Sequence, residues 1–190
     1  MGFGLLFVGY LLAFGFTSGT NYIVSIIGVA GAVFLFAASR KLKIYSKHFR
    51  LAEPFSLLVG ASYITNAVFQ LIESDFTTET GFLLFDISRA FIILSVFLFN
   101  LAMYLGISQI ALLAEDKKLA TSSYTDLVIM LVYYVCVISA YIIGTPVKAL
   151  LIAIPLLGLV WLVLSVWLVI TSYMRICLPE DRNMDEKKKN

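Results

Sequence analysis

The sequence predicts an all-α, polytopic transmembrane bundle of about six helices with both chain ends in the cytosol. Three observations carry this expectation. Of the 190 residues 61% are hydrophobic and only 14% charged, against roughly 45–50% apolar and about 25% charged in soluble domains. The apolar residues gather into six runs separated by short polar segments. The basic residues fall almost entirely between alternate runs. No soluble core of this size hides so much apolar surface, so the excess is expected to face lipid.

A membrane-crossing helix needs about 20 apolar residues. The expected spans are about 2–16, 22–39, 54–73, 82–106, 127–143 and 149–173, making one transmembrane domain over 1–174 with a charged cytosolic tail, 175–190. The first run, Gly2 to Phe16, is short; if it is re-entrant, the N-terminus lies outside and nothing else changes. No Lys or Arg precedes Arg40, so the basic n-region of a signal peptide is missing and the segment is expected as a mature helix. Thr17 to Asn21 reads as a turn. In the first two runs, Gly9 and Ala13, and Gly28 and Ala32, are each four apart. Small residues at that spacing let two backbones approach closely, as in a tight hairpin.

The third run is expected to start at Pro54, which suits a first helical turn, and to end near Glu73. The fourth, Phe82 to Ala114, holds 33 residues, roughly 50 Å of helix against about 30 Å of hydrocarbon. It must tilt, break near Gly106, or project past the membrane with Ile107 to Leu113 at the interface. Gly144-Thr145-Pro146 reads as a tight turn between the fifth and sixth runs, and Pro155 is expected to kink the sixth.

Orientation follows from the cations. Arg40, Lys41, Lys43, Lys47 and Arg50 follow the second run; Lys117 and Lys118 follow the fourth; Arg175, Arg182, Lys187, Lys188 and Lys189 follow the sixth. These are twelve of the fourteen basic residues, and six alternating spans put all of them on the cytosolic side. The opposite loops carry Lys148, Asp75 and Glu79.

The polar residues that could carry chemistry concentrate on two runs. Tyr63, Asn66, Gln70 and Glu73 are spaced three, four and three apart, along one helical face. Asp86 and Arg89 share a face of the fourth run, and Asn100 continues along that side. Antiparallel pairing of the two runs levels Gln70 and Glu73 with Asp86 and Arg89. Charges in the bilayer centre cost about 2.5–3.5 kcal/mol each on insertion scales and usually face a partner or a wet cavity. The expectation is an outward-facing polar pocket between the third and fourth helices, with Tyr63, Asn66, Gln70, Glu73, Asp86, Arg89 and Asn100 as ligand contacts. The competing expectation places the hydrocarbon edge near Ala90, leaving Asp86 and Arg89 in the headgroup region with Arg89 snorkelling. Tyr10, Tyr63, Tyr133, Tyr134 and Tyr141 either line an apolar cavity or serve helix packing. The basic stretch with Arg40, Lys41, Lys43, Lys47 and Arg50, interleaved with Leu42, Ile44, Tyr45 and Phe49, reads as a membrane-surface or partner contact, or as a topology determinant alone.

Much is excluded. A net charge of +2 gives no footprint for nucleic acid. Two cysteines, Cys136 and Cys177, and one histidine, His48, offer no metal-ligand spacing, and no cofactor is expected. Catalytic and phosphate-binding motifs are missing. The expected function is a small-solute transport or ligand-binding membrane subunit. The alternative is a structural, assembly or regulatory membrane protein, and a small lipid-modifying enzyme ranks last. The expected partners are the lipid bilayer and a membrane or cytosolic protein, or a second copy of the chain. The expected location is a bacterial or archaeal plasma membrane, in keeping with the absence of any Asn-x-Ser/Thr site from the sequence.

Overall fold

The computed structural model describes residues 2–14, 22–72, 79–143 and 148–176. Among them are six α-helices: α1 (Gly2–Phe14), α2 (Tyr22–Leu42), α3 (Lys47–Ile72), α4 (Glu79–Leu113), α5 (Lys117–Ile143) and α6 (Lys148–Arg175). Four contain stretches long and apolar enough to cross a membrane, Ile23–Leu42, Asp86–Leu113, Lys117–Ala140 and Ala153–Arg175. α1 is a shorter apolar helix. α3 has the length, 26 residues, but carries more polar side chains.

Three boundaries differ from the sequence expectation, each for a local reason. α3 starts at Lys47, and Pro54 lies inside it. Ser46 caps this helix: its Oγ accepts a hydrogen bond from the His48 N–H at 3.2 Å, satisfying one of the free donors of the first turn. α4 runs unbroken through Gly106 to Leu113. There the absent side chain makes room for a neighbour, since a Cβ on Gly106 would lie 2.6 Å from the Phe49 ring. α5 starts at Lys117, ten residues before Leu127. The α4–α5 turn explains this. The Asp116 N–H bonds the Ala111 carbonyl at 2.9 Å and the Glu115 N–H the Leu112 carbonyl at 3.1 Å, with Glu115 in the left-handed region at φ 61°, a Schellman ending. Asp116 then caps α5, its Oδ1 accepting from the Leu119 N–H at 3.0 Å. Two residues, Ala114 and Glu115, therefore separate the end of α4 from the cap of α5.

Successive helices pack side by side, and α6 closes back on α1. These contacts are antiparallel, as the residue pairs show: Gly2 meets Leu42 while Gly31 meets Ala13, Gly28 meets Tyr63 while Gly60 meets Ala32, and Gly4 meets Tyr173; Ser62 meets Ser95 while Ser46 meets Gln109; Phe97 meets Tyr134 while Tyr104 meets Ser123; and Tyr133 meets Gly158 while Asp116 meets Arg175. The basic segments thus gather at one end of the bundle. α1 and α4 also touch across the ring, through Tyr10–Asn100 and Phe14–Phe99. This contact divides the bundle into a half made with α2 and α3 and a half made with α5 and α6.

The first half is tightly closed. A Cβ on Gly31 would lie 2.4 Å from the Ala13 backbone nitrogen, and one on Gly9 2.8 Å from that of Leu35, so the α1 and α2 backbones touch directly, as small-residue spacing allows. Among the described residues, small polar side chains join the apolar core while large apolar ones cover much of the surface. Eleven serines, Asn100 and Asp126 are buried, whereas Val33, Val135 and Trp167 are 63%, 62% and 64% exposed. Apolar residues on the surface and hydroxyls inside match a chain whose solvent is lipid, and this arrangement is compatible with a membrane protein.

Candidate functional site

The stripe expected on α3 exists as a helical face, but its residues have separate partners. The Tyr63 ring packs against Gly28, where a Cβ would lie 2.8 Å away, and its hydroxyl donates to the Ala13 carbonyl. Asn66 ties three helices together: Nδ2 donates to Ser25 Oγ at 3.0 Å and Oδ1 accepts from Ser88 Oγ at 3.2 Å. Gln70 is half-buried, and its Oε1 has no hydrogen-bond partner among the described residues. Glu73 lies outside the described residues. On α4, Asp86 and Arg89 are exposed, and the buried Ser88 between them is the side chain that meets α3. Asn100 is fully buried but turned to α1: Oδ1 accepts from the Tyr10 hydroxyl at 2.9 Å and Nδ2 donates to the Val96 carbonyl at 2.9 Å. The structure brings Asn66 onto α4 and Tyr63 and Asn100 onto α1, and does not bring Asp86, Arg89 and Asn100 together.

In the basic segment, Arg40, Lys41, Lys47 and Arg50 are exposed. Lys43 pairs with Glu53 at 2.7 Å. Partial burial, and then the neighbouring Lys47, hold the His48 imidazole below its usual range, so the histidine adds no charge to this surface at neutral pH. The Ser46 hydroxyl donates to Gln109 Oε1 at 2.7 Å and fixes the turn to α4.

The second half of the bundle holds what sequence reasoning only partly anticipated. A cavity of about 580 Å³ opens between α1, α3, α4, α5 and α6, walled by Phe14, Tyr63, Ile92, Val96, Tyr133, Tyr134, Pro155 and Trp161. It lies toward the end opposite the basic segments, because its α1 residue is the last of that helix and its α4 residues belong to the first half of theirs. Tyr133 stacks on Trp161 with centroids 5.4 Å apart and planes 20° from parallel, and Gly158 accommodates the Tyr133 ring at 3.1 Å from where a Cβ would be. Phe97 meets Tyr134 edge-on at 4.9 Å. These contacts hold the wall in one conformation.

Below Trp161 lies a hydroxyl cluster. Trp161 Nε1 donates to the Tyr104 hydroxyl oxygen at 2.7 Å. Tyr104 and Ser165 are hydrogen-bonded, Ser165 Oγ donates to the Trp161 carbonyl at 2.7 Å, and Ser123 Oγ donates to the Tyr104 carbonyl at 2.7 Å. Asp126, one turn beyond Ser123 on α5, is 4% exposed and within electrostatic range of Tyr104. Tyr10, Tyr104, Trp161, Ser165 and Asp126 form the group sequence reasoning missed as a site. The signal for Asp126 was Asp116: a helix capped there puts position 126 nearly three turns inside it, where the sequence expectation had it in a loop.

No protein-family model, no curated protein and no solved structure matches the chain. An aromatic wall with a few fixed hydroxyls can hold a ring or an alkyl chain and orient one polar group.

Proposed function

We propose that the chain is a six-span membrane protein, with both ends cytosolic, that binds a small and largely apolar molecule in the aromatic cavity, as a binding or transport subunit of a bacterial or archaeal plasma membrane. The observation that carries this reading is the cavity itself. Its volume of about 580 Å³ falls within the roughly 300–1,000 Å³ typical of small-molecule sites, and the Tyr133–Trp161 stack keeps it formed. The basic end on the cytosolic side turns the cavity outward, in keeping with uptake or capture from outside.

Native mass spectrometry of the protein released gently into mild detergent tests this. The expected result is a stoichiometric small molecule that is lost when Tyr133→Ala and Trp161→Ala open the wall. A wild-type protein carrying bilayer phospholipid alone overturns it.

A structural or assembly role is the second reading, favoured by the α1–α4 half. There the Ser62–Ser95 and Ser25–Asn66–Ser88 hydrogen bonds serve helix association. A stoichiometric protein partner in the same spectra, with no small molecule, supports that role.

A further inference from the structure

Asp126 is a carboxyl group buried in a helix that is long and apolar enough to cross a membrane. Among the described residues its carboxylate takes part in no hydrogen bond and no ion pair. An uncompensated charge in such a place is among the costliest things a bundle can bury, so its protonation state depends on what surrounds it.

The surroundings supply no counter-charge. α4 and α6 are the helices packed against α5. From α4 the titratable neighbour is Tyr104, to which Tyr10 of α1 is coupled in turn. α6 has no titratable residue between Lys148 and Tyr173, and on α5 the tyrosines are Tyr124, Tyr133 and Tyr134. No Lys, Arg or His occurs in α1, in α4 after Arg89, in α5 after Lys118, or in α6 between its two ends. Lys118 is about 12 Å away along the helix axis.

The hydroxyls bonded around Tyr104 have their protons committed. Tyr10 gives its proton to Asn100 and Asn100 gives one to Val96. Ser123 gives its proton to the Tyr104 carbonyl, Ser165 to the Trp161 carbonyl, and Trp161 to the Tyr104 hydroxyl oxygen. With the Ser165 proton committed, Tyr104 is the donor in their shared bond. A buried neighbourhood without a counter-charge favours a carboxylic acid over a carboxylate.

We propose that Asp126 is an internal proton-binding site, loaded in the conformation described, that exchanges its proton with water at the floor of the outward cavity. The link to the cavity is Trp161, whose ring forms the floor and whose indole N–H bonds the Tyr104 hydroxyl. The proton comes from water as hydronium and returns to it, so no other reactant is needed. The proposal does not depend on the cavity having a ligand.

The test is infrared spectroscopy of the full-length protein in lipid nanodiscs, titrated in pH with and without deuterium exchange. The probe is the proton alone, read by the C=O stretch of a protonated carboxyl in an apolar site. The expected result is a deuterium-sensitive band in wild type that disappears reversibly as pH is raised. It is lost in Asp126→Asn and kept, at a shifted position, in Asp126→Glu. Should Asp126→Asn fail to fold, the wild-type and Asp126→Glu titrations still decide. A band that never titrates or never exchanges means a permanent structural acid and overturns the proposal, as does the absence of any such band. A carboxylate signal that responds to added sodium at fixed pH assigns a metal cation in place of the proton and also overturns it.

Discussion

Tyr104 shows how much can hang on one hydroxyl in this bundle. It accepts from Trp161, bonds Ser165, and through its carbonyl holds Ser123, so α4, α5 and α6 meet at one residue. Tyr104→Phe leaves the buried Trp161 N–H and Ser165 without their partner. It is expected to destabilise the protein by about 1–3 kcal/mol, read as a lower thermal unfolding midpoint in detergent, whereas Tyr124→Phe at an exposed position is expected to change nothing. Asp116 gives a residue-level pH dependence outside the membrane segments. Its carboxyl is held below the ordinary carboxylate range, first by the hydrogen bond from the Leu119 backbone N–H and then by Arg175, 3.5 Å away. A depressed folded-state value means the unfolded chain binds the proton more readily. The stabilisation is therefore present above the usual carboxylate value of 3.8 and is lost as pH falls through the lower folded value. Unfolding midpoints measured through that acid range should fall in wild type and fall less in Asp116→Ala. Serine, tyrosine and aspartate at these positions were visible as residue types. Their partners were not, because a hydroxyl on a helix reaches whichever neighbour the packing brings.

At the scale of elements, the connections determine where helices begin. Glu115 occupies a left-handed position at φ 61° that disfavours every residue with a Cβ. Glu115→Gly keeps the Schellman ending and removes that strain. It is expected to raise stability by about 0.5–1 kcal/mol, measured as a higher unfolding midpoint with an unchanged circular dichroism spectrum. The α1–α2 hairpin makes the opposite point. Its backbones are in contact at Gly31, where a Cβ would lie 2.4 Å from the Ala13 nitrogen. Gly31→Val must push the helices apart and is expected to cost about 3 kcal/mol. Gly60→Ala, whose nearest neighbour is the Ala32 methyl at 3.3 Å, should be tolerated far better. The close approach was legible from the four-residue spacing of Gly9 with Ala13 and of Gly28 with Ala32, since small residues are required wherever helices touch. The starts of α3 and α5 were not. Lys47, His48 and Arg50, like Lys117 and Lys118, read as loop to a hydropathy scan, yet capping by Ser46 and Asp116 continues the helix beyond its apolar part.

For the whole molecule, the proposed orientation has a direct test. Reporter fusions placed after Arg175 and within the 43–46 turn are expected to be active only as cytosolic reporters. An exported reporter that is active at either point reverses the orientation. The clustering of cations at one end of the antiparallel bundle is consistent with one cytosolic face, and it arises because each return of the chain exchanges ends.

Composition and the spacing of apolar runs were enough to establish an all-helical chain suited to lipid, because hydrophobicity and helix length are properties of contiguous residues. The grouping of side chains into a site is a property of residues far apart in sequence. Tyr63, Asn66 and Gln70 share a helical face, and yet Tyr63 joins α1 while Asn66 joins α2 and α4. Asp126 became a buried carboxyl, and Trp161 the floor of a cavity, only when the return of α6 to α1 closed the ring. Periodicity shows that residues share a face; the packing of the other five helices decides what that face meets.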